Sequence, residues 1–241
     1  MPRSFAEFPL PDRKSSPLSY EQVYHFMEEG YLVVSGLIPP DVAARADDAA
    51  WRVIGIDPKD PATWKATKHA TFSDDPALMA LYTPEFRTAV AQLASADPHM
   101  FSMSRVPQNA FVIAIKPEPE TPWKVNGPHI DGAGNWDVPV NSFPRPWTLF
   151  AMIYLHDVPR HSGNTVVYPK SHRKYQALLR SEPERYRFMA QMADDARRVD
   201  VGEPVELLAK AGDVAFLDQM MMHAGTVNCG KRPRFAMNMK W

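Results

Sequence analysis

The chain has 241 residues, 45% hydrophobic and 11% aromatic, with 27 basic and 28 acidic side chains and a formal net charge of -1 at pH 7. Near-neutrality without basic runs leaves no field to steer nucleic acid or an anionic membrane, so both are excluded as partners, and the single cysteine rules out an intramolecular disulfide framework. No apolar run approaches the ~20 residues of a membrane span, and the length suits one domain, 1–241, with a sizeable core.

The first segment, MPRSFAEFPLPDRKSS, is polar, contains proline and is interrupted by charge. It has no signal-peptide core, so residues 1–17 read as an extended lead-in to a cytoplasmic protein. Ser19 with Gln22 forms a capping box behind the staple residue Leu18, and Val23, Phe26 and Met27 then make an amphipathic stripe that stops at Gly30. A second helix follows Pro39-Pro40-Asp41. Thr83-Pro84 reads as the cap and first turn of another, in which Phe86, Val90 and Leu93 recur at helical spacing. Residues 18–109 are therefore expected to be a mostly helical flank.

From about Ala110 the pattern changes to short apolar runs rich in β-formers: AFVIAIK, WTLFAMIYL, NTVVY, VELL, DVAFLD and the two arms around Cys229-Gly230. Ala211-Gly212-Asp213 reads as a turn. Short strands between Gly and Pro turns predict a mainly β fold, a double-stranded β-helix (a cupin-like jelly roll) over residues 110–241 with the helices flanking it. The stretch from Ser171 to about Arg198 is helical in pattern and is expected to cover one end of the roll.

Within the β half lies His129-Ile130-Asp131, with His223 ninety-two positions after Asp131 and Arg234 eleven beyond that. In a strand, residues two apart point the same way, so His129 and Asp131 can approach one ion while Ile130 faces away. Two imidazoles and a carboxylate on one face of an octahedral metal leave three positions open, the pattern of non-haem iron(II) oxygenases. Structural zinc sites, by contrast, close their coordination. A hairpin at Cys229-Gly230 would set Gly225 against Arg234 and turn His223, Gly225 and Arg234 inward. An inward arginine needs an anion, and its fork suits the distal carboxylate of 2-oxoglutarate. Arg232 faces inward in the same register but lies farther from His223.

The other histidines, His25, His69, His99, His156, His161 and His172, lack ligand spacing; His156-Asp157 is the one local competitor of the first pair. Two irregular segments, Pro117–Pro128 and Gly132–Pro146, flank His129-Ile130-Asp131 and are the candidate lids. Cys229 reads as a turn residue.

These residues, together with LSYEQVYHFMEEGYLVVSGLIPPDVAARA and GNTVVYPKSH, resemble the phytanoyl-CoA dioxygenase family of iron(II)/2-oxoglutarate-dependent oxygenases over nearly everything from Leu18 to Trp241. The resemblance implies His129, Asp131 and His223 as metal ligands, Arg234 and Trp147 at the co-substrate, and iron(II), 2-oxoglutarate and O2 as cofactor and co-substrates. It implies hydroxylation of a small-molecule metabolite with release of succinate and CO2; desaturation, epoxidation or rearrangement are the alternative outcomes. The chain departs from the family twice. A serine two places after the distal histidine is replaced by Gly225, leaving Thr226 beside it as the hydroxyl of the co-substrate pocket. The glycine of the Pro-Gly-Ser-His turn is Lys170. A metal-dead binding protein could keep the same roll, but all four key residues are present. A zinc hydrolase would not need Arg234, and a halogenase would not carry Asp131.

Overall fold

The computed structural model describes residues 16–64, 68–94, 108–131, 149–186 and 191–240. Trp147, His99 and the Gly132–Pro146 segment lie outside the described residues. No helix among the described residues is long and apolar enough to cross a membrane.

The helices form where their caps predict. In α1 (Tyr20–Glu29) the Ser19 hydroxyl accepts the Gln22 N–H, the Gln22 side chain accepts the Ser19 N–H, and Gly30 at φ 80° ends the helix. Helix α2 (Pro40–Ile54) buries Ala43, Ala46, Ala49 and Ala50, small side chains that let its backbone lie close to what it covers. After the short α3 (Pro76–Met79), α4 (Pro84–Leu93) is capped by Thr83 and buries Phe86, Val90 and Leu93. Met27 departs from the expected stripe and is exposed. Two strands lie within the mostly helical flank: β1 (Tyr31–Val34), where the family resemblance implies a short strand after the first helix, and β2 (Lys68–Ser73), which the sequence does not announce. β1 pairs with residues 214–217, and β2 owes its state to a distant partner, residues 110–115, which local propensity does not reveal.

The remaining strands are β3 (Ala110–Ile115), β4 (Val125–His129), β5 (Leu149–Tyr154), β6 (Thr165–Val167), β7 (Val205–Glu206), β8 (Val214–Asp218), β9 (His223–Thr226) and β10 (Arg234–Lys240). They form two antiparallel sheets, a six-stranded one in the order β1-β8-β5-β10-β3-β2 and a four-stranded one in the order β4-β9-β6-β7. This is the expected jelly roll. Alternation sorts the side chains of the large sheet. Val112, Leu149, Ile153, Phe216, Phe235 and Met237 pack against the helices, while Phe150, Met152, Tyr154, Leu217 and Ala236 fill the space facing the small sheet. Fully buried Phe86, Phe216 and Phe235 each contribute about 1.5–3 kcal/mol.

Helix α5 (Ser171–Ser181) sends Tyr175 and Leu179 into a cluster with Val166 and Ala224, and Tyr186 and Met192 join it. The segment therefore covers the outer face of the small sheet rather than an end of the roll. The residue before α5, Lys170, has φ 65°. A left-handed backbone at this place suits the glycine that the resemblance implies there.

Strands β9 and β10 are not a hairpin: β9 pairs with β4 and β6, and β10 with β3 and β5, in different sheets. The chain crosses between the sheets at residues 227–233. Asn228 braces the crossing, its amide donating to the carbonyls of Ile115 and Arg232 and its oxygen accepting the Gly230 N–H. Pro233 has no N–H with which to continue a ladder.

Strand β4 is an edge strand and carries a bulge. Asn126 pairs with Gly225, yet His129, three residues on, pairs with His223, two residues back. Gly127 inside the bulge has φ 46°, with nothing within 4 Å of where a Cβ would stand. Gly127→Val should therefore cost about 1–2 kcal/mol through backbone strain alone. A urea midpoint equal to wild type would show that β4 does not hold this bulge in solution.

His156 serves the fold. Its Nε2 accepts the Phe235 N–H at 3.0 Å, and its Nδ1 donates to the Asp157 carbonyl at 2.9 Å. Burial, reinforced by the nearby Arg232 charge, pushes its pKa from 6.5 down to about 4. A depressed histidine stabilises fully above its unfolded pKa, and that contribution is lost as pH falls from 6.5 through 4. The drop in unfolding midpoint between pH 7 and pH 5 should be smaller in His156→Gln than in wild type; equal drops would contradict the assignment.

Candidate active site

The bulge places His129 directly opposite His223, on the edge and the second strand of the small sheet, and Asp131 follows two residues after His129. Their ligand atoms all lie within 4.8 Å of one another, the one such cluster of His, Cys, Asp or Glu among the described residues. His129 Nε2 is 3.4 Å and His223 Nε2 3.8 Å from Asp131 Oδ1. Ligands on one octahedral face stand about 3 Å apart when metal–ligand bonds are about 2.1 Å, so shifts of under 1 Å close the set around an ion.

Both imidazoles are presented as ligands. His129 Nδ1 lies 2.9 Å from the Gly127 carbonyl and His223 Nδ1 3.0 Å from the Met221 carbonyl. A carbonyl can only accept, so Nδ1 carries the proton in each ring and the Nε2 lone pairs face Asp131. Burial pushes His223 down to about 4, with Asp131 opposing and His129 reinforcing the shift, so the ring is neutral near pH 7. Burial alone would raise the Asp131 pKa, but His129 and His223, whenever they carry an extra proton, and the Lys240 charge hold it well below the usual carboxylate range, so the carboxylate is ionised near pH 7. Lys240 Nζ sits 3.2 Å from Oδ2, the oxygen turned away from the imidazoles. Two imidazole nitrogens and an ionised carboxylate on one side of a common point are a donor set that fits iron(II).

Arg234 lies deep between the sheets, 3% exposed. Its Nε donates to the Gly163 carbonyl at 3.0 Å and one terminal nitrogen lies 3.8 Å from Met152 Sδ. Burial lowers its pKa, with Tyr154 opposing. No carboxylate among the described residues is in ion-pair range of this guanidinium. The Tyr154 hydroxyl, on the strand next to β10, is fully buried and has the Thr165 side chain beside it, without a hydrogen bond of good geometry. A buried cation without a carboxylate, beside a buried hydroxyl, is an arrangement able to bind an anion.

Arg232 does not share that face. One of its terminal nitrogens donates to both carboxylate oxygens of Asp47 of α2, at 2.7 and 2.9 Å, and its guanidinium lies over the rings of Trp51 and Phe235. Thr226 is on the opposite face of β9 from His223, and its hydroxyl donates to the Asn164 carbonyl at 3.0 Å. The inner-face hydroxyl beside Gly225 belongs instead to Thr165, its partner on β6, which contacts the same Met152 sulfur at 3.3 Å. Sequence reading missed Tyr154 and Thr165. Both sit in strands it had found, but their inward parity depends on cross-strand registers that local pattern does not contain. His156 and Asp157 are spent on backbone groups, Asp157 accepting the Ala211 N–H. Among the described lid residues, Trp123 stacks on His161 and packs towards the outer cluster rather than the metal ligands.

Comparison with known proteins agrees with this fold. The carbocyclase SnoK of nogalamycin biosynthesis, described as non-heme and alpha ketoglutarate dependent, is 20% identical, with 92% of this chain and 83% of that chain covered at a TM-score of 0.61. EctD from S. alaskensis, solved with 2-oxoglutarate and 5-hydroxyectoine, is 20% identical over 96% of this chain and 78% of that chain, again at 0.61. The epimerase SnoN, solved with Fe3+, alpha ketoglutarate and nogalamycin RO, is 19% identical over 90% and 80% at 0.58. At such identities the likeness shows the fold. No curated protein sequence matches the chain. The family model for phytanoyl-CoA dioxygenase (PhyH) matches residues 26–236, and with it the chain belongs to that family.

Proposed function

We propose that this protein is a cytoplasmic iron(II)/2-oxoglutarate-dependent dioxygenase of one domain that hydroxylates a small-molecule metabolite. The observation that carries the reading is the pairing of an open His129, Asp131, His223 face with a buried guanidinium that has no carboxylate among the described residues. The carbocyclase and epimerase on the same fold make rearrangement the alternative outcome.

His129, Asp131 and His223 would hold the iron, and Arg234 with Tyr154 and Thr165 would hold the distal carboxylate of 2-oxoglutarate. Bound there, iron(II) supplies the oxidation that converts 2-oxoglutarate and O2 to succinate and CO2 while one oxygen atom enters a substrate C–H bond. The chain's own work is placement. The carbonyls of Gly127 and Met221 fix the ring orientations, and Lys240 holds the second oxygen of Asp131 so that the first faces the histidines. Arg234 sets the direction of the co-substrate, and Phe150, 4.8 Å from the His223 ring, keeps water from the inner side. No side chain needs to act as acid or base. Trp147 is kept as a proposed co-substrate contact on the family resemblance; the Thr226 hydroxyl is not, because Asn164 occupies it.

Anaerobic protein given iron(II) and 2-oxoglutarate should show the weak visible charge-transfer band of a chelated 2-oxo acid. Replacing His129 and His223 together with alanine should abolish both the band and iron binding; iron retained by that double variant would place the metal elsewhere.

Arg234→Lys keeps the charge but loses the fork, so the apparent affinity for 2-oxoglutarate should fall roughly 10–100-fold, about 1.4–2.8 kcal/mol. Tyr154→Phe should cost about 1 kcal/mol of the same affinity. Arg232→Lys should leave it unchanged and lower stability instead, because it loosens the Asp47 pair. A 2-oxoglutarate titration of the three variants decides the matter, and a larger loss in Arg232→Lys than in Arg234→Lys would reverse the assignment.

A further inference from the structure

Beside the triad lies a cavity of about 570 Å³ with Asp131 in its wall, so that whatever occupies it stands against that metal ligand. Phe72 of β2 and Phe111 of β3 form one side. They are directly opposed in the strand register, with ring centroids 4.6 Å apart. Phe72 is 69% exposed, more than any other large hydrophobic side chain among the described residues. On the other side stand Asn238 and Lys240, which share the inner face of β10 with Arg234. Lys240 is the one cation, and Asp131 the one anion, among the described residues of the lining.

We propose that this cavity is the primary-substrate site and that it takes a small monocarboxylate with an apolar or aromatic body. The body would lie on the Phe72 and Phe111 rings, and the carboxylate would meet the Lys240 ammonium and the Asn238 amide. Charge balance gives the class. Iron(II), the Asp131 carboxylate, dianionic 2-oxoglutarate and the Arg234 guanidinium together carry no net charge, so Lys240 adds one positive charge in excess. A monoanion neutralises it. A phosphate monoester, at about -1.5 to -2, would overshoot, and an amine would be repelled. The cavity volume lies within the range of small-molecule sites, about 300–1,000 Å³. The exposed aromatic pair supplies the apolar area that such a ligand would cover. Lys240 is thus given two tasks along one wall, positioning Asp131 through Oδ2 and selecting the substrate's charge.

This inference rests on the iron and 2-oxoglutarate reading, and its test is kept separate from it. Isothermal titration of protein loaded with nickel(II) and saturating 2-oxoglutarate would use three probes of one shape: 3-phenylpropanoate, 3-phenylpropanamide and 3-phenylpropylamine. The acid should bind at least about tenfold more tightly than the amide, and the amine more weakly than either. Lys240→Met should erase the preference for the acid, Lys240→Arg should keep it, and Phe72→Ala should weaken acid and amide by the same factor. Equal affinities of acid and amide in wild type, a preference that survives Lys240→Met, or no binding of any probe would each overturn the proposal. An acid that binds only when 2-oxoglutarate is left out occupies Arg234 and counts against it too. Absence of the acid preference in wild type, with the iron charge-transfer band intact, sinks the substrate site alone. Absence of that band in wild type sinks the reading beneath it as well.

Discussion

The direction in which His129 points is decided by one extra residue in β4. Gly225 and His223 share the inner face of β9, and Asn126 stands opposite Gly225. Without the bulge, Pro128 would come opposite His223 and His129 would turn to the outer face, because side chains alternate with a period of two. The inserted residue reverses the parity and sets the two imidazoles side by side, ring centroids 4.5 Å apart. Asp131 then follows with the same parity as His129, while Ile130 goes the other way into the outer cluster. The bulge costs a left-handed residue, which Gly127 adopts without steric penalty, and its carbonyl accepts the His129 Nδ1 proton. The feature that bends the strand therefore also fixes the tautomer of the ligand it presents.

The second constraint is the crossing from β9 to β10. Had these strands formed a hairpin, Arg234 would lie beside Gly225 in one sheet. Instead it lies in the facing sheet, paired with Ile115, and reaches across the interior to the Gly163 carbonyl. Burying an uncompensated guanidinium costs several kcal/mol, far more than one backbone hydrogen bond returns. Such a cost persists in a protein when a ligand repays it. Arg232 shows the contrast, since it is only partly buried and its charge is met by two oxygens of Asp47 on α2. Two arginines separated by one residue serve opposite faces of the same sheet, one closing the helical layer and the other left for an anion.

Much of this was legible in the sequence, and the parts that were not share one cause. Capping residues such as Ser19, Gln22 and Thr83 declare themselves within four residues, and so do the apolar runs that become β3, β5, β6 and β8. The His-x-Asp pair is equally local. What local pattern cannot supply is which strand lies beside which. The hairpin expected at Cys229-Gly230 and the hydroxyl sought at Thr226 instead of Thr165 and Tyr154 failed at that step, and β2 went unnamed for the same reason. Arg234 was still chosen over Arg232, from its distance to His223 and from family spacing, although the register drawn for it differs from the one the structure shows.

The site is built asymmetrically, and the asymmetry follows from sheet position. His223 sits on an inner strand with its side chain 9% exposed, held between the Phe150 ring and the Met221 carbonyl. His129 sits on the edge strand with its side chain 51% exposed. An edge strand tolerates Pro128, whose missing N–H would break an inner ladder, and it leaves one flank uncovered by a neighbouring strand. A metal that must admit both a chelating co-substrate and a gas needs such a flank, since a ligand set buried on all sides would close the remaining positions. The inner strand gives the centre its rigidity and the edge strand gives it access. The cavity between Asp131 and the Phe72–Phe111 pair, formed largely by β2, β3 and β10 of the opposite sheet, is where that access is met by side chains able to choose what approaches.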